Sequence, residues 1–337
     1  MENTKLFEKG ARVAMVGDSI THSGMAGAYV QEYYLSHMPE REVKIYNLGI
    51  GGDTSQGACR RIDEIMAVEP TEAVVMVGVN DMGVQNYHSP TPTEEELAAR
   101  RHSYRVHVEG TLRLVSLLRA EGLRVTLCSA VGRDEHTPGD GGYVTFGATD
   151  ALAAMYHDNL AGLAEGDIKN TVDYLTPMQE LQAALVAAHG PSLFVPDRTH
   201  PSELGQQMMG RILLRAQGLP VSLPTAEDFM GGWRERVLPL ALREQRRAGL
   251  RIRDLHWVHP HQADRVRGMD LEERIAFWDA ESRRTDLSEY FINNYKNYVA
   301  NARLEDEYFA EYMALTDALY GNAAEENAKI VKETLRI

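Results

Sequence analysis

Between residues 12 and 217 short apolar runs alternate with longer stretches of helical periodicity, a pattern that leaves few folds open. The apolar runs are Arg12–Val16, Val43–Leu48, Ala73–Val79 and Arg124–Ala130, with a shorter one at Thr171–Leu175. Val13 to Val16 are apolar without a break, as a strand buried on both faces of a parallel sheet requires. The helical stretches are Gly27–His37, Thr54–Ala67, a long one ending near Glu121, Ala148–Ala164, Pro177–Ala188 and Ser202–Gln217. The long one is expected to open with a capping box, Thr93 with Glu96, after the turn signal Ser-Pro-Thr-Pro. Strands alternating with helices indicate an α/β chain: a three-layer α/β/α sandwich around a parallel sheet with flavodoxin-like winding.

The pattern changes at Gly218-Leu219-Pro220 and Pro224, after which no convincing strand follows. Asp270 with Glu273 and Asp286 with Glu289 have the spacing of helix starts. Leu287, Phe291, Tyr295, Tyr298, Val299 and Ala302 then share one helical face, and Tyr308, Tyr312, Leu315 and Leu319 share another. The expected organisation is a sheet domain over residues 1–220 and an all-α C-terminal extension over 221–337. That extension is long enough to count as a subdomain.

The chain carries a net charge of −14, which does not suit a nucleic-acid or anionic-membrane surface. Its two cysteines, Cys59 and Cys128, are too few for a disulfide framework, and no CxxC pair is present for zinc. Met1–Gly10 is polar, and no run approaches the ~20 apolar residues of a membrane span. A cytoplasmic protein without cofactor or metal is the expectation.

In an open α/β sheet, chemistry gathers where strands end. After the first strand comes Gly17-Asp18-Ser19, where Ser19 is a nucleophile or a helix cap. After the second comes Gly49-Ile50-Gly51-Gly52-Asp53-Thr54-Ser55, an outward row of N–H donors or a tight turn. After the third comes Gly78-Val79-Asn80-Asp81, where Asn80 offers its amide or caps a turn. Before the last helix of the sheet domain stands Asp197-Arg198-Thr199-His200-Pro201. A carboxylate three residues before an imidazole can fix its tautomer, or the two are simply a surface pair.

These four blocks, in this order and spacing, closely resemble those of the SGNH (GDSL) hydrolases over roughly Arg12 to Gln217. The Gly-x-Ser-x-Gly elbow of α/β-hydrolases is absent. The resemblance implies Ser19 as nucleophile, His200 as general base and Asp197 as the residue that orients it. It implies an oxyanion hole from the N–H groups of Ser19 and Gly52 and the Asn80 amide. A carbohydrate-esterase-like member would cleave short acyl esters, such as O-acetyl groups on sugars. The alternatives are a lysophospholipase or general short-chain carboxylesterase, or a binding or assembly module with a vestigial core.

The extension departs from the family's compact domain; it is expected to form a lid, a homo-oligomer interface or plain packing. The substrate, a small-molecule or oligosaccharide ester, is expected to meet His22, Arg133 and His136. The last two lie in a loop, Gly132–Gly147, whose polarity suggests exposure. His256, His259 and His261, near Asp254 and Asp264, have no recognisable metal-binding spacing.

Overall fold

A computed structural model describes residues 5–138, 144–233, 238–255, 269–287, 289–302 and 304–320. The sheet is entirely parallel, with strands β1 (Arg12–Gly17), β2 (Lys44–Gly49), β3 (Glu72–Met76), β4 (Arg124–Cys128) and β5 (Asn170–Val172). Their order is β2-β1-β3-β4-β5, the flavodoxin-like winding, so connections diverge to opposite faces beside β1. Successive side chains along a strand point to opposite faces, and here both faces are dry. Val13, Met15, Val74 and Met76 enter a core shared with α2 (Met25–His37), α6 (Ala148–Ala161), α7 (Leu175–Ala187) and α8 (Glu203–Ala216). Ala14, Val16, Ala73 and Val75 enter a second core shared with α5 (Glu94–Ala120).

The capping box at Thr93 forms: the Thr93 N–H donates to Glu96 Oε2 at 2.6 Å, and the Glu96 N–H donates to Thr93 Oγ1 at 3.2 Å. The stretch 54–67 differs from the single helix expected. It is two short helices, α3 (Ser55–Arg60) and α4 (Ile62–Met66), broken at Arg61. Arg61 leaves helical geometry, and its guanidinium Nε donates to the buried Asp53 carboxylate at 2.7 Å. That ion pair overrides local helix propensity.

Beyond residue 220 every described regular element is helical: α9 (Ala226–Met230), α10 (Leu240–Leu255), and the helices Leu271–Ser282, Glu289–Ala302 and Glu305–Ala318. The capping box expected at Asp270 is present. The helix Glu289–Ala302 starts later than Asp286 would place it, and the Asp286 carboxylate is instead held by Arg284 at 2.5 Å. Trp278, Tyr295 and Tyr298 make a small aromatic core of their own, with Trp278 stacked on Tyr295 at 5.0 Å between centroids.

Two of these helices, α10 and Glu305–Ala318, close the sheet. β2 is an edge strand, and its outward groups at residues 43, 45 and 47 would otherwise be an open template for pairing. Side chains take four of them instead. Gln31 donates to Val43 O at 2.7 Å and accepts from the Ile45 N–H at 2.8 Å. Gln245 donates to Ile45 O at 3.2 Å, and the Asn47 N–H donates to Tyr312 Oη at 2.9 Å. Ala248, Ile252 and Tyr312 also join the second core, so these helices are part of the folded body.

Candidate active site

β1 ends at Gly17, and Asp18 turns out of the sheet as the N-cap of a one-turn helix, α1 (Ser19–His22). Its Oδ1 accepts from the Ile20 N–H at 2.9 Å. Capping therefore falls to Asp18, which leaves the Ser19 hydroxyl uncommitted to the helix. Ser19 Oγ and His200 Nε2 are 2.7 Å apart, and His200 Nδ1 lies 2.6 Å from Asp197 Oδ2. The other carboxylate oxygen, Oδ1, accepts the N–H groups of Thr199 at 2.8 Å and His200 at 2.9 Å. Partial burial works to raise the Asp197 pKa. Those N–H groups and the imidazole outweigh it, so the carboxyl sits below its ordinary value.

The turns after β2 and β3 are tied together. Asn80 Nδ2 donates to Asp53 O at 2.8 Å, which fixes the amide while leaving its second hydrogen available. Asp81 accepts from Ser55 Oγ at 2.5 Å and from the Ser55 N–H at 3.0 Å. Gly52 has φ +76°, a left-handed conformation that glycine adopts without penalty. Asp53, Arg61, Ser55 and Asp81 thus hold the turns that carry Gly52 and Asn80. Sequence reasoning gave them no role, although three of them stand inside the quoted blocks.

Behind β1 the Asp18 carboxyl is fully buried. Burial raises its pKa to about 7; the Ile20 N–H and His200 pull it down, and the negative charges of Asp53 and Asp81 push it up. Its Oδ2 finds no hydrogen-bond partner among the described residues.

The loop after β4 departs from the exposed stretch expected. Val131 to Asp134 are buried, with Arg133 only 2% exposed. Arg133 Nη1 donates to Thr199 Oγ1, beside His200. Arg198, itself buried and at φ +63°, donates to Thr137 O at 2.8 Å and Asp134 O at 3.3 Å. The Asp134 N–H returns a bond to Arg198 O at 2.9 Å. The two arginines clamp the Asp197–His200 loop from behind. His136 is exposed at the outer end of the same loop, and His22 is half-buried, its carbonyl accepting from Asn47 Nδ2 at 2.8 Å. His256, His259, His261 and Asp264 lie outside the described residues. Among those described, no group of three or more acidic, His or Cys side chains could hold a metal ion, and no helix is long and apolar enough to cross a membrane.

A hydroxyl on an imidazole on a carboxylate, at the carboxyl edge of a flavodoxin-wound sheet and beside fixed amide donors, is the equipment of an acyl-transfer hydrolase. A family model described as GDSL-like lipase/acylhydrolase matches residues 15–208, more than half of the 337-residue chain, and the protein belongs to that family. It is a carboxylic ester hydrolase. The chain is similar to an acetylxylan esterase of Geobacillus stearothermophilus, 25% identical over 228 residues that cover 62% of this chain and 94% of the relative. A solved structure of an acetylxylan esterase from that organism covers 63% of this chain and 96% of its own, with 21% identity and a TM-score of 0.48. A solved structure described as a gut microbial diltiazem-metabolizing enzyme is 15% identical, with a TM-score of 0.76. It covers 94% of this chain and 95% of its own, so that likeness of fold runs through the C-terminal helices as well.

Proposed function

We propose that the protein hydrolyses short-chain acyl esters, O-acetyl groups on carbohydrates foremost, through an acyl-enzyme on Ser19. The observation that carries this reading is the series Ser19 Oγ–His200 Nε2–Asp197, with separations of 2.7 and 2.6 Å. Ser19 Oγ attacks the ester carbonyl carbon while its proton passes to His200 Nε2. Asp197 holds the Nδ1–H and stabilises the imidazolium that forms. The oxyanion is met by the Ser19 and Gly52 N–H groups and the free hydrogen of the Asn80 amide. The C–O bond to the alcohol breaks as Nε2 returns its proton to the leaving oxygen. Water then repeats the sequence: Nε2 takes its proton, its oxygen attacks the acyl carbon, and Ser19 leaves as the restored alcohol.

The preference for acetyl is supported by the similarity to the acetylxylan esterase, which aligns over nearly its whole length. The test is hydrolysis of p-nitrophenyl esters from acetate to octanoate by wild type and Ser19→Ala, followed by acetylated xylo-oligosaccharides. Acetate cleavage that fades by butyrate and falls by a factor on the order of 10⁴–10⁶ in the variant is the expected result. Rates that rise with acyl length would replace it with a lysophospholipase-like reading. A folded wild type inert to every ester and to a fluorophosphonate probe would leave a binding module.

A further inference from the structure

The turn that carries Ser19 is a helix of one turn, too short to be stable by itself. Its exit is therefore an accounting question: which groups take its carbonyls? Ser19 O and Thr21 O are taken within the turn, by the N–H groups of Ser23 at 3.3 Å and Gly24 at 2.9 Å. Ile20 O accepts from Gln206 Nε2 of α8 at 3.0 Å. His22 O accepts from Asn47 Nδ2 of β2 at 2.8 Å. Ser23 O accepts from Arg246 Nε of α10 at 2.7 Å. Arg246 is thus the point at which the C-terminal helices reach the turn that bears the serine.

The packing around this point is tight. At Gly49 of β2 a Cβ would lie 2.3 Å from His22 N, so the strand end presses directly on α1. At Gly24 a Cβ would meet Asn47 Nδ2 at 2.9 Å and Arg246 Cγ at 3.5 Å. Asn47 is locked in turn: its N–H goes to Tyr312 Oη at 2.9 Å, and its Oδ1 accepts the Gly49 N–H at 3.1 Å. Arg246 and Tyr312 belong to the two helices that cover β2. A cation at a helix exit also opposes the negative end of the peptide dipoles.

We propose that Arg246 is a positioning residue for the nucleophile, backed by Asn47 and Tyr312, and that the C-terminal helices therefore belong to the catalytic frame. The proposal rests on Ser19 being the nucleophile. Arg246 touches no reacting atom; it sets where the Ser19 hydroxyl stands relative to His200, a placement to which rates are steeply sensitive.

The test compares Arg246→Met, which keeps the aliphatic stem, with Arg246→Lys, which restores one donor. The readouts are kcat and KM for p-nitrophenyl acetate, the rate of Ser19 labelling by a fluorophosphonate, and thermal unfolding. In Arg246→Met, kcat and labelling rate fall together by about tenfold with KM within twofold, and Arg246→Lys recovers most of the loss. A purely structural role would lower the unfolding temperature and leave the kcat of the folded fraction intact. Asn47→Asp, which turns the donor facing His22 O into an acceptor, lowers kcat in the same way and decides the matter if Arg246→Met does not fold. Wild-type kcat and labelling in either folded variant would overturn the proposal. Ser19→Ala run alongside separates the two readings: if it keeps its activity, the nucleophile assignment fails and this proposal with it.

Discussion

Asp197 and His200 share one loop and reach each other across three residues, whereas the turn bearing Ser19 is fixed by groups from β2, α8 and α10, the last more than 220 residues away. The histidine side brings its own carboxylate, its own backbone donors and, in Arg198, one of the two arginines that clamp it. The serine side owns the Asp18 cap and the Ser23 and Gly24 N–H groups that close its single turn, and borrows the rest. Changes to Asp197 or His200 themselves should therefore alter chemistry while sparing the fold. Changes on the serine side should alter geometry from positions that look unrelated to the site.

Asp197→Asn puts the sharpest strain on that comparison. Its Oδ1 can still accept the Thr199 and His200 N–H groups, so the loop keeps its shape. An amide facing Nδ1 stabilises the wrong tautomer, and kcat for p-nitrophenyl acetate is expected to fall by about 10⁴ with little change in unfolding temperature. A loss below tenfold would mean the local pair is not what drives the chemistry. Asn80→Ala comes next, at about 10²–10³ in kcat, the usual cost of one oxyanion donor, which is the role proposed for its amide. Because Asn80 is exposed, water replaces its bond to Asp53 O, and stability should hardly move.

Arg198→Ala sharpens the comparison by testing the clamp. It leaves the carbonyls of Asp134 and Thr137 short of a donor inside a buried segment, which costs about 1–3 kcal/mol. The unfolding temperature is expected to drop by several degrees and kcat by about tenfold. Unlike Arg246→Met, both readouts should move. If Arg198→Ala changed kcat alone, the two sides would be held in the same manner after all.

The same division explains what could be read from the chain. The alternating pattern gave the sheet and its winding, and Thr93 with Glu96 marked a helix start, because each signal spans a few residues. Asp-x-x-His was visible for the same reason. Arg61 breaking a helix to meet Asp53 was not visible, since periodicity carries no information about a buried partner. Arg133 in a run of polar residues looked exposed, because nothing nearby shows that two buried arginines close on the histidine loop. Arg246 is the extreme case: on an amphipathic helix full of arginines, nothing local marks the one that reaches Ser23 O.

Asp18 lies where the two sides meet, capping the serine turn and feeling the charge of His200, and it yields the smallest effect. Its folded pKa of about 7 stands above the ~3.9 of a free carboxyl, so the native state holds a proton that the unfolded chain releases. Stability from this group is therefore lost as pH rises from about 4 to 7; the cost is complete above that window and absent below it. Asn at this position keeps a capping oxygen and cannot ionise. Asp18→Asn and wild type should unfold at nearly the same temperature at pH 4.5, with the variant ahead by a few degrees at pH 8. A constant offset across that range would show that Asp18 stays ionised, and that the protonated cap between the serine turn and the histidine loop does not exist.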